Sequence, residues 1–139
     1  MPPWPSREAG RMTQTTRTNR AGRTRELGAY GERLAAEYLQ GLGCRVLDRN
    51  WRSGRQGELD LVVRDGGSIV AVEVKTRSGS GYGTPFESIT ALKVARLRRL
   101  LLGWVREHQP GARALRVDAV SVTLRPNEAP RIEHLRGIS

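Results

Sequence analysis

The 139-residue sequence predicts an α/β fold, because segments of helical and of strand-like periodicity alternate along it. Residues 26–42 and 85–108 carry apolar side chains at intervals of three and four. Between them, Gly57–Val63 and Ser68–Thr76 are strand-like runs joined by Arg64-Asp65-Gly66-Gly67, and Ala114–Leu124 is a further strand-like run.

In the first helix Leu27, Tyr30, Leu34, Ala35, Tyr38 and Leu42 form the apolar stripe, and Gly43 is the stop. Glu32 and Glu37 flank opposite edges of that stripe, so either can look toward a neighbouring site. Cys44–Arg49 reads as a short strand, followed by a polar, basic turn from Asn50 to Gly57. Thr76–Pro85 holds Gly79, Gly81 and Gly83 and is a loop directly after Lys75; it has neither a P-loop ending nor dinucleotide-binding spacing. The second helix buries Ile89, Val94, Leu97, Leu100, Leu101, Trp104 and Val105 and turns Arg98, Arg99 and Arg106 outward. Lys93 falls inside its apolar stripe, where an ammonium needs an anionic partner or a route to solvent. In the 114–124 strand Leu115, Val117 and Ala119 share one face, while Arg116, Asp118 and Val120 share the other, with Asp118 in a supporting role. Arg131–Leu135 is a short strand or irregular segment whose His134 reads as surface or sheet-edge decoration.

The hairpin carries the chemistry. If Gly66-Gly67 is a two-residue turn, Asp60 stands opposite Glu73 and Glu58 opposite Lys75; a turn at Asp65-Gly66 keeps the parity and pairs Glu58 with Glu73, and a three-residue loop breaks it. Directly opposed side chains lie roughly 4.5–5.5 Å apart, and like charges so placed are destabilising. Two carboxylates at that separation can share a proton or hold a hard divalent cation through oxygen. A neighbouring ammonium suits a reaction in which charge builds on phosphate oxygens and a water must be activated in place. A structural salt-bridge ladder is the alternative use of the same residues.

Composition narrows the partners. With 24 Lys and Arg against 14 Asp and Glu, the net charge is +10, which suits a polyanion, nucleic acid above all. Ribosomal association would give the same balance. The single cysteine, Cys44, excludes an intramolecular disulfide and a cysteine-based zinc site, and reads as a core residue. No apolar run approaches the roughly 18 residues a membrane span needs, and no secretory signal is evident, so the sequence reads as cytoplasmic. Residues 1–25 are rich in Arg and nearly devoid of apolar side chains, the pattern of a disordered basic tail, with Met12 as an alternative start; the domain occupies residues 26–139.

Asp60 followed by Glu73-Val74-Lys75 resembles the PD-(D/E)xK nuclease signature, with Leu59 standing where the signature has proline. Gly31-Glu32, Tyr38-Leu39, Arg49-Asn50-Trp51-Arg52, Gly57-Glu58-Leu59-Asp60-Leu61, Val72-Glu73-Val74-Lys75-Thr76-Arg77, Lys93 and Arg116-Val117-Asp118 together resemble the bacterial YraN-like family of uncharacterised proteins over about residues 27–138. That family is grouped with PD-(D/E)xK nucleases, and its core is similar to archaeal Holliday-junction resolvases. The resemblance implies a restriction-endonuclease-like core, a central mixed β-sheet flanked by helices. It implies a metal-dependent DNA endonuclease, acting on branched or damaged DNA, in which Asp60, Glu73, the carbonyl of Val74 and Glu32 hold magnesium, with manganese able to substitute. It selects Glu32 over Glu37. Lys75 would orient the attacking water, and Glu58 would partner Lys75 or hold a loop. By charge and nearness in sequence, Arg52, Arg55, Arg77 and Lys93 are the candidate phosphate contacts, reading backbone and shape rather than bases. Resolvases of this fold act as dimers, which implies a homodimer here. The competing expectation is a nucleic-acid-binding or scaffold protein that keeps the fold without turnover.

Overall fold

In a computed structural model, residues 17–79 and 85–138 are described. Helix α1 spans Arg17–Gly41, strands β1, β2 and β3 span Arg45–Arg52, Glu58–Asp65 and Ser68–Ser78, helix α2 spans Ala91–His108, and strands β4 and β5 span Ala114–Leu124 and Arg131–Leu135. The strands form one sheet in the order β1-β2-β3-β4-β5. Pairing is antiparallel except between β3 and β4, which run parallel and are joined through α2. This is a mixed sheet with a helix on each face, consistent with a restriction-endonuclease-like core.

Alternation along the strands divides the core in two. Under α1, Tyr30, Ala35, Ala36 and Leu39 pack on Leu61, Val63, Val70, Val72, Val120 and Val122, with Cys44 buried at the edge. Under α2, Val94, Leu97, Leu100, Leu101 and Trp104 pack on Leu59, Val62, Ile69, Ala71 and Val117. The central strands are apolar on both faces because both faces are covered.

Several boundaries differ from those expected. Helix α1 begins at Arg17 rather than near Glu26, so residues 17–25 are helical; extending an anchored helix through Arg and Ala is far easier than nucleating one. The remainder of the expected tail, residues 1–16, lies outside the described residues. Strand β1 continues to Arg52, through part of what reads as a turn. Helix α2 starts at Ala91, not Pro85, because Thr90 is the cap and its hydroxyl accepts the Lys93 N–H at 3.1 Å. The glycine loop is shortened by β3, which runs to Ser78, and residues 80–84 lie outside the described residues.

His134 is not surface decoration. Its side chain is 6% exposed, its Nε2 lies 2.9 Å from Asp118 Oδ2, and its Nδ1 lies 3.3 Å from the Tyr38 hydroxyl. Asp118, itself 1% exposed, also accepts from Arg116 at 2.8 Å and from the Gly137 N–H at 3.0 Å. Burial opposes ionisation of Asp118, yet Arg116, Gly137 and His134 together hold its carboxyl below the ordinary carboxylate range. This network ties β5 and the C-terminal segment to β4 and α1.

Two predictions follow from the packing. A Cβ at Gly31 would overlap the Thr76 side chain, so α1 lies close against β3 at that point. Gly31→Ala is expected to cost about 1–3 kcal/mol in denaturant unfolding, and clearly less in a Thr76→Ala background, a non-additivity that would be missing if the two did not touch. Asp118→Asn is expected to cost about 3 kcal/mol near neutral pH. Because the folded pKa of Asp118 is depressed, its stabilisation is present above the unfolded pKa and is lost as pH falls below the ordinary carboxylate range; the gap between wild type and variant should close in that direction.

Candidate functional site

The β2–β3 hairpin has the expected register, with Asp65 opposite Ser68 and Leu61 opposite Val72 around the Gly66-Gly67 turn. Pairing ends at Leu61–Val72. Beyond it the Val74 N–H bonds the Asp60 carboxylate at 2.9 Å, so a side chain takes over where the ladder stops. Asp60 and Glu73 are brought together as expected, close enough for their carboxyl groups to share a hydrogen bond. Glu58 and Lys75 are not. Since the strands have parted, Glu58 instead lies 3.3 Å from Arg52, its partner across β1.

The same point disturbs β1. Leu61, paired with Arg49, packs under α1, whereas Leu59 and its partner Trp51, two positions along, pack under α2. Strict alternation therefore fails between these pairs, at Asn50 and Asp60. Asn50 has φ +52, a left-handed conformation that asparagine tolerates better than most residues. Its amide, oriented with nitrogen toward the acids, donates to Glu32 Oε1 and Glu58 Oε1, each at 3.0 Å. Glu32 thus reaches the site through Asn50. Glu37 is exposed and takes no part.

These residues border an open cleft of about 350 Å³ lined by Gly57, Glu58, Asp60, Glu73, Val74 and Lys75 on the sheet side and by Lys93, Arg96, Leu97 and Leu100 on α2. Glu73 is 6% exposed at its floor. Both lysines converge on Glu73 Oε2, Lys93 Nζ at 2.5 Å and Lys75 Nζ at 3.9 Å. Lys93 therefore takes the anionic-partner alternative rather than the route to solvent.

Electrostatics follow from this crowding. Burial, then the charge of Glu73 and the hydrogen bond to it, push the Asp60 carboxyl up to about 8, against the opposing Val74 N–H. Burial also raises Glu32; the Asn50 bond opposes this, and Glu58 and Glu73 add to it. Burial pulls the Lys75 ammonium down and Lys93 pulls the same way, against Glu73 and Asp60. For Lys93 burial is the largest single influence and acts downward, but the bond to Glu73, the Glu73 charge, the Lys75 contact and the Asp60 charge together outweigh it and the pKa is raised.

Among the described residues, no group of three His, Cys, Asp or Glu side chains is placed to hold a metal. The donor set in the cleft is smaller: two adjacent carboxylates on diverging strands. Magnesium is commonly bound by one or two carboxylates, keeping waters or substrate phosphates in its other positions, so the pair fits it without a full protein cage.

Arg52 and Arg55 are exposed, on and after β1, and Arg52 meets the cleft lining at Glu58. Arg77 is half-buried on β3, and its Nε has no hydrogen-bond partner among the described residues. Sequence reasoning missed Asn50 and Arg96. A residue favouring left-handed backbone inside a strand pattern was the available signal for Asn50. Arg96 stands one turn from Lys93, the spacing that shares a helix face.

Among the described residues, no helix is long and apolar enough to cross a membrane. The family model for "Uncharacterised protein family UPF0102" matches residues 31–122, a span that contains Glu32, Asp60, Glu73, Lys75 and Lys93. The chain is 53% identical to a UPF0102 protein of Beutenbergia cavernae, over 81% of this chain and 94% of that one. It is 48% identical to one of Acidothermus cellulolyticus, over 80% and 91%, and 45% identical to one of Nocardia farcinica, over 91% and 99%. Sequence, fold and relatives agree: the chain belongs to the uncharacterised, YraN-like UPF0102 family.

Proposed function

We propose that the cleft is the active site of a magnesium-dependent DNA endonuclease, with manganese able to substitute, acting on branched or damaged DNA through backbone and shape. The observation that carries this reading is the Asp60–Glu73 carboxyl pair at the floor of an open cleft, with two lysines on Glu73. A fold that only bound a polyanion would gain nothing from acids set where phosphate must approach.

Asp60, Glu73 and the Val74 carbonyl would hold the ion, and Glu32, steadied by Asn50, would complete the site through a water. The ion would supply Lewis-acid stabilisation of the phosphate and a more acidic water. Lys75, about a third exposed, points a donor into the cleft to orient the attacking water and offset charge on the phosphate oxygens. Glu58 holds Arg52 at the mouth, where Arg52 and Arg55 meet the backbone. Arg77 and Lys93 offer further phosphate contacts. The twofold symmetry of a four-way junction fits a homodimer.

A second reading, a non-catalytic nucleic-acid-binding or scaffold protein, draws on the net charge of +10 and on how fully Lys93 already satisfies Glu73. Labelled single-stranded, duplex, flap and four-way-junction DNAs separate the two. Magnesium-dependent cleavage that drops at least about 100-fold in Asp60→Ala and in Lys75→Ala is expected. Binding without cleavage on every substrate, unchanged in both variants, would leave only the scaffold.

A second prediction concerns pH. A carboxyl whose folded pKa is raised keeps its proton after the unfolded chain has lost it, so its stabilisation is lost as pH rises toward about 8. Without divalent metal, the thermal midpoint of wild type should fall relative to Asp60→Asn across that window and level off above it. Magnesium should restore wild type at the alkaline end and leave Asp60→Asn unmoved.

A further inference from the structure

Lys93 occupies an unusual position for a residue of an amphipathic helix. It lies in the apolar stripe of α2, but its ammonium turns inward to the floor of the cleft and meets Glu73 Oε2 at 2.5 Å. Lys75, the lysine of the signature, lies 3.9 Å from the same oxygen, so Lys93 is the principal counter-ion of Glu73. Its backbone is fixed by the Thr90 cap, and its side chain remains 33% exposed along the cleft wall, which leaves the four-carbon stem room to swing. Arg96, on the same helix face one turn on, lines the cleft beside it.

We propose that Lys93 is a built-in competitor for the divalent ion: its ammonium takes the Glu73 oxygen that the ion needs, and entry of the ion releases Lys93 to join Arg96 as a phosphate-binding rim. This rests on the metal-dependent reading above. An ammonium and a divalent cation on one oxygen would stand within a few ångströms and repel, the more so because Glu73 itself is nearly buried at the cleft floor. Ion binding therefore frees a positive charge, and a DNA phosphate that accepts that charge favours the ion-bound form. By linkage the coupling is reciprocal, so DNA tightens metal binding by the factor by which metal tightens DNA binding.

The test measures manganese affinity of the full chain by titration calorimetry for wild type, Lys93→Met, Lys93→Gln and Lys93→Arg. It is repeated with calcium, a non-catalytic probe, with and without four-way-junction DNA. Lys93→Met is expected to bind manganese about tenfold tighter than wild type, equivalent to about 1.4 kcal/mol, and Lys93→Arg to stay near wild type. Lys93→Gln keeps a polar end and should show the same gain if the methionine variant fails to fold. Junction DNA should tighten calcium binding by wild type and do so much less in the neutral variants. Wild-type manganese binding that is unchanged or weaker in the folded neutral variants would overturn the competitor role while leaving the metal site standing. Absence of manganese binding in wild type and neutral variants alike would overturn the metal-dependent reading, and this inference with it.

Discussion

The interruption of the β2–β3 ladder after Leu61–Val72 is the constraint on which the site depends. Had pairing continued, the β2 and β3 backbones would face each other and the Val74 N–H would not be left for the Asp60 carboxylate. Instead the two strands part, the Val74 N–H turns to Asp60, and the cleft opens between β2 and β3 while β1–β2 and β3–β4 pairing goes on. A buried amide left without a partner is costly, so the acid is held by the backbone it replaces. The left-handed Asn50 makes the matching break in β1 and brings Glu32 and Glu58 onto one amide.

Two carboxyls on strands either side of β3 meet opposite fates. Asp118 on β4 receives Arg116, His134 and an amide, and its pKa is depressed despite deep burial. Asp60 receives one amide and faces another acid, and its pKa is raised to about 8. The first arrangement satisfies its charge internally and stabilises the fold. The second keeps a proton on Asp60 instead of a charge, a perturbed pair in a cleft that supports the proposed site over a plain structural bridge.

Much of this was legible because a period of two and a glycine pair fix register. The Gly66-Gly67 turn gave Asp60 opposite Glu73, and the misfit of Lys93 in an apolar stripe signalled its need for an anion. The Glu58–Lys75 contact failed because register counts residues and cannot see where a ladder ends. His134 was half misread for a related reason: its short strand is indeed the sheet edge, yet Tyr38 and Asp118 lie far away in sequence and close over it. Asn50 shows the same limit from the other side, since its role comes from a backbone angle rather than from any pattern of polarity.

Helix α2 walls the cleft and α1 brings Glu32 to Asn50 beside it, and a local device adds to the burial that attaches each helix. Gly31 allows α1 to approach Thr76 closely, which sets the height of Glu32; the Thr90 cap sets where α2 begins and hence where Lys93 emerges. The acids they surround can be neutralised in three ways: by a proton on Asp60, by the ammonium of Lys93, or by a divalent ion. The first two are held in the same few cubic ångströms that the third would use. In the proposed nuclease, ten excess positive charges would draw nucleic acid to the surface. The harder problem would be to let a phosphate approach two acids, and a lysine moving from acid to phosphate as the ion enters would solve it with charge already in place.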